Sequence, residues 1–208
     1  MSIIAIIGWF ALIVQFYLQI NSGIAPKAEL LIRFFSYFTI LTNLLVTVCS
    51  TILVLKPNSS FGKFFQKEQT LTAVTIYIVV VGIVYNVILR SIWDPQGMQR
   101  VVDELLHLII PILFLLYWLI FVKKDHLQYK NAFPWLIYPF VYAVFAFIRG
   151  AFSGFYPYPF IDINKLGINK VLLNTVLLTA FFLLLSLLLI TACKFFAKKN
   201  DLSNNTFQ

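Results

Sequence analysis

The chain has 208 residues, 61% of them hydrophobic and 12% charged, with a formal net charge of +8 and two cysteines. A soluble domain of this length cannot cover so much apolar surface. Its cations are scattered over short connections instead of forming one stripe, which speaks against nucleic-acid binding and for attraction to anionic lipid headgroups. Apolar runs of about 20 residues recur along the chain, the length a bilayer core requires of a helix. The fold class expected is therefore all-α: a polytopic membrane protein built as a bundle of six transmembrane helices over 1–197, with a short disordered cytoplasmic tail over 198–208.

In chain order, the first span is expected over Ser2–Ile20. No Lys or Arg precedes it and no small-residue cleavage site follows, so it reads as a retained helix and not a signal peptide. The second, Leu30–Leu55, carries Arg33 near its start and then Ser36, Thr39, Asn43, Thr47 and Ser50 at steps of three or four. At helical spacing these five fall within about 80° of arc, a polar stripe that must face other helices or a cavity.

The third span, Leu71–Trp93, aligns Thr75, Gly82, Asn86 and Arg90, with Tyr85 beside them. The fourth, Val102–Val122, spaces Asp103, His107 and Pro111 one turn apart. The fifth, Phe133–Arg149, ends on Arg149, and the sixth runs over Val171–Phe196. Cys49 and Cys193 both fall inside spans and read as packing thiols. His126, flanked by Lys124 and Asp125, reads as a solvated loop residue. No metal or cofactor is expected, because the two histidines and two cysteines offer no ligand set of recognised spacing.

Charge sets the expected orientation. Lys56, Lys63, Lys67, Lys123, Lys124, Lys130, Lys194, Lys198 and Lys199 would share a side with both termini. Lys27, Arg100, Lys165 and Lys170 would lie in loops opposite, with Arg33, Arg90 and Arg149 inside the apolar segments. Nine loop cations against four predict both termini in the cytoplasm, with the chain in the plasma membrane.

His107 stands one turn inside the apolar run from Leu105 to Phe121. An ionisable group at membrane depth is costly without a partner and is by default a functional candidate. Asp103, one turn earlier on the same face, can accept the ring N–H and fix its tautomer; Glu104 is the alternative acid. Arg33, Ser36, Thr39, Asn86, Arg90, Asp103, His107 and Arg149 all fall at about one level, so they are expected to converge on a pocket opening outward or into the outer leaflet.

Simpler roles are open to each. Threonine, serine and asparagine can bond their own preceding turn, arginines can snorkel to headgroups, and acids in a first turn serve the helix dipole. A threonine hydroxyl activated by an imidazole would make an esterase, with Asn43, Asn86 or an arginine supplying oxyanion donors. The same polar stripe could instead line a transporter or channel, or a non-catalytic lipid-binding pocket.

Three short motifs point the same way. Tyr37-Phe38-Thr39-Ile40, His107 with Pro111, and Tyr158-Pro159-Phe160-Ile161-Asp162 occur in that order. Together they resemble the androgen-induced-protein family of multi-pass membrane threonine hydrolases, whose members cleave fatty acid esters of hydroxy fatty acids. The resemblance implies Thr39 as nucleophile and His107 as base, with lipophilic esters or membrane lipids as partners. The chain departs from that pattern in Asp103, one turn before the histidine, and in Thr42-Asn43, so Thr42 competes for the nucleophile's role. The candidate site is thus Thr39, His107 and Asp103 for catalysis, with Asn43, Asn86, Arg90, Arg149 and Arg33 toward substrate.

Overall fold

The computed structural model describes residues 1–205, with side chains over 1–195. It is all-helical, with no strand among the described residues. Six helical segments of 18 to 28 residues are long and apolar enough to cross a membrane. Large side chains such as Ile13, Val87, Phe140 and Val176 face outward around the bundle, a surface suited to lipid and not to water.

Helix α1 spans Ser2–Ile20. The second span is not one helix. It divides into α2, Lys27–Ser36, and α3, Phe38–Leu55, at Tyr37, whose backbone is extended. The orphaned ends at this break are met from far away in the chain: the Tyr142 hydroxyl donates to the Ser36 carbonyl at 3.0 Å, and the Thr39 amide donates to the Tyr158 hydroxyl at 3.1 Å. Short α4, Ser60–Phe65, leads into α5, Glu68–Val84.

Helix α5 ends in a π-helical turn over Tyr85–Leu89, where the Arg90 amide reaches back five residues to Tyr85. The fourth span comprises α6, Met98–Glu104, a second π-helical turn over Leu105–Ile109, and α7, Ile110–Phe121. After short α8, Ala132–Trp135, come α9, Ile137–Ser153, the small α10, Ile163–Leu166, and α11, Ile168–Asn205. The tail expected over 198–208 falls on the end of α11 and on residues 206–208, which lie outside those described.

The polar stripe of the second span packs inward, as its spacing required: Ser36, Thr39, Asn43, Thr47 and Ser50 are all buried. Gly8 lets α1 press on α3, since a Cβ there would overlap the Thr47 side chain. Gly82 does the same for α5 against the fourth span, where a Cβ would lie 3.2 Å from both the His107 carbonyl oxygen and Pro111. These close approaches hold α1 against α3, and α5 against the His107 turn. Cys49 and Cys193 are free thiols.

Candidate active site

The second π-helical turn has a cause legible in the chain. Pro111 has no amide proton to give the carbonyl four residues earlier, which is that of His107. The Ile110 amide meanwhile bonds Leu105 instead of Leu106. Two carbonyls, Leu106 and His107, are thereby left without their usual helical partners. The Asn43 amide reaches the first at 3.2 Å and the Asn86 amide the second at 3.1 Å. The same two nitrogens also bond the Thr39 and Gly82 carbonyls, at 2.9 and 2.8 Å.

Asn43 and Asn86 therefore brace the His107 turn against α3 and α5. Neither lines the main cavity, which differs from the expectation that they reach a substrate: their donors are taken by backbone carbonyls, two of them freed by the π-helical turn and costly to bury unpaired.

The His107 ring is buried and held on two sides. Its Nδ1 lies 2.9 Å from the Asp103 backbone carbonyl. A carbonyl can only accept, so Nδ1 carries the proton and Nε2 of the neutral ring is left as the basic nitrogen. Nε2 has no hydrogen-bond partner among the described residues. Tyr85 stacks on the ring with centroids 3.7 Å apart and planes 12° apart.

The orienting acceptor is thus the Asp103 backbone, and not its side chain as the spacing suggested. The carboxylate stands 4.0 Å from Nδ1, too far for a hydrogen bond. It accepts instead from Tyr85 Oη at 2.6 Å, from Trp93 Nε1 at 2.8 Å and more weakly from Gln99 at 3.4 Å. Its charge still faces the ring, where it would favour an imidazolium formed in turnover. Glu104 is engaged elsewhere, with Arg90 at 2.8 Å.

Thr39 occupies the first turn of α3, where amides have no carbonyl one turn earlier to bond and the helix dipole is positive. Its hydroxyl lies 3.3 Å from the Tyr158 hydroxyl, which also takes its amide. Loss of hydration pushes the Tyr158 phenol up to about 12, so it stays neutral and can both donate and accept.

Thr39, Asp103, His107, Tyr158 and Arg33 all line one cavity of about 410 Å³. The three motif segments noted in the sequence meet there. No hydrogen bond joins Thr39 to His107. Thr42, the rival hydroxyl, bonds Tyr138 at 3.1 Å and lies outside that cavity.

The arginines divide. Arg33 lines the cavity and pairs with Glu29 at 2.8 Å, while Arg149 donates to the same carboxylate oxygen at 2.5 Å from behind. Both guanidinium groups lie over Phe155, at 4.3 and 5.6 Å from the ring centre. Arg90 and Arg149 do not line the cavity. The paired arginines hold the Glu29 carboxyl below the usual carboxylate range, the Arg33 hydrogen bond contributing most.

The sequence reading missed Tyr158 as a direct partner of Thr39, along with Trp93, Gln99 and the wall from α1. Gln15 and Gln19 of α1 line the cavity, and Gln15 accepts from Gln99 at 2.7 Å. Two glutamines one turn apart at the end of an apolar helix were the available signal. No family model, curated protein or solved structure matches the chain.

Proposed function

We propose that this chain is an intramembrane hydrolase of lipophilic fatty-acyl esters, with Thr39 as nucleophile and His107 as general base. The observation that carries the reading is that Thr39 and His107, far apart in sequence, line one cavity in which the imidazole leaves Nε2 unpartnered. The Thr39 oxygen attacks the acyl carbon as its proton passes to Nε2, directly or through one water. Collapse of the tetrahedral intermediate expels the alcohol, which takes that proton. Water then cleaves the acyl-threonine by the same route and releases the acid.

The first-turn amides of α3 and the Tyr158 hydroxyl support an oxyanion formed beside Thr39. Arg33 gives the cavity a cation for an acidic group on the substrate. We place the chain in the plasma membrane with both termini cytoplasmic, on the strength of its loop lysines. A reporter fused after Gln208 should be active only in its cytoplasmic form.

The test is hydrolysis of a panel of lipophilic esters by purified protein, with covalent labelling by a fluorophosphonate. Thr39→Ala and His107→Ala should each abolish both while the melting transition stays near wild type, because members of one catalytic unit are individually nearly as damaging as the set. Thr42→Ala should keep labelling. The Thr39 hydroxyl bonds Tyr158 and not His107, which favours a non-catalytic lipid-binding pocket as second reading; no turnover in wild type across the panel would decide for it.

A further inference from the structure

Behind Thr39 lies a second, smaller cavity of about 80 Å³. Thr39, Tyr85, Leu89 and Tyr158 line it as well as the larger one, so Thr39 sits where the two meet. Its other walls include Val80 and Val84 of α5, Ala143 and Phe147 of α9, and Leu178 and Phe182 of α11. Pro139 and Ala143, one turn apart on α9, line the same cavity.

Water is poorly served there, since a bound water needs two to four polar partners. Four of the hydroxyls along the walls have their protons already committed. Thr175 and Thr179 donate to carbonyls of their own helix, at 2.8 and 2.9 Å. Tyr142 donates to the Ser36 carbonyl, and Tyr85 to Asp103. What remains is an apolar slot that has the Thr39 hydroxyl in its wall, next to a larger cavity lined by polar side chains and Arg33.

We propose that this slot binds a stretch, a few methylenes long, of one alkyl chain of a lipid whose polar end occupies the larger cavity. Placing the chain's ester end at Thr39 rests on the hydrolase reading; occupancy of the slot by an alkyl chain does not. Val84, Ala143 and Leu178 then decide which chains fit.

The test uses a long-chain fatty acid carrying a mid-chain diazirine, photolysed with the full-length protein in detergent and mapped by mass spectrometry. Adducts are expected on Val84, Ala143 or Leu178. Ala143→Trp should lower them about tenfold, as for a chain denied burial of a couple of methylenes. Leu178→Trp fills the slot from α11 and should do the same, so the result does not depend on one variant folding. Thr39→Ala should leave the adducts in place. Adducts confined to lipid-facing residues such as Phe140 and Val176, or undiminished in a folded tryptophan variant, would overturn the proposal. Slot labelling without ester turnover would defeat only the hydrolase reading, and turnover dependent on Thr39 and His107 without slot labelling would defeat only the slot.

Discussion

Tyr85 lies flat on His107, with ring centroids 3.7 Å apart, and the same tyrosine donates its hydroxyl to the Asp103 carboxylate at 2.6 Å. One side chain thus fixes the plane of the imidazole and holds the neighbouring acid away from Nδ1. The two π-helical turns make this possible. They end α5 and begin α7 at the point where Gly82 lets the two segments touch.

The Asp103 side chain should therefore matter less than a carboxylate bonded to the ring. Asp103→Asn is expected to fold, keep its fluorophosphonate labelling and lose about tenfold in kcat, the worth of a hydrogen bond or so. A fall of about 10³-fold or more, in the range of general-base assistance, would mean that the carboxylate reaches the ring during turnover.

Pro111 acts on His107 through the backbone. Pro111→Ala restores the amide that an α-helix would give to the His107 carbonyl, and so removes the reason for the π-helical turn. Ester turnover should fall while the melting temperature holds or rises. Unchanged turnover would show that the turn does not need the proline.

Tyr158→Phe removes the one hydroxyl within reach of both the Thr39 amide and its Oγ1. Turnover should drop by about 10²-fold, as when one oxyanion donor is lost. The free energy of unfolding should fall only by about 1 kcal/mol, as expected for a hydrogen bond. Equal kcat in both proteins would remove Tyr158 from the chemistry.

The cluster of Glu29 with Arg33 and Arg149 has a pH signature. Its arginines hold the Glu29 carboxyl below the usual range, the Arg33 hydrogen bond first. A depressed folded-state pKa contributes stability above the unfolded value, lost as pH falls through the folded one. The melting temperatures of wild type and Glu29→Gln should differ by a constant amount at neutral pH and converge only below about pH 4.3. A gap that closes between pH 6 and 8 would point to another group.

The residues themselves determined the six apolar spans, the inward stripe from Ser36 to Ser50 and the prominence of His107, because local hydropathy and helical period need no partner to be read. The one-turn spacing of Asp103 and His107 was also legible, but not which Asp103 oxygen the ring meets. That depended on Tyr85, Trp93 and Gln99 drawing the carboxylate aside.

Tertiary structure alone decided that the second span breaks at Tyr37 and places Thr39 in the first turn of a new helix. The hydroxyls that satisfy the break belong to Tyr142 and Tyr158, more than 100 residues further on. It also decided that Asn43 and Asn86 serve freed carbonyls, while Arg33 lines the cavity and Arg90 and Arg149 do not. A buried polar group bonds whichever partner the packed helices bring within about 3 Å, and sequence spacing carries no record of that partner when it comes from another helix.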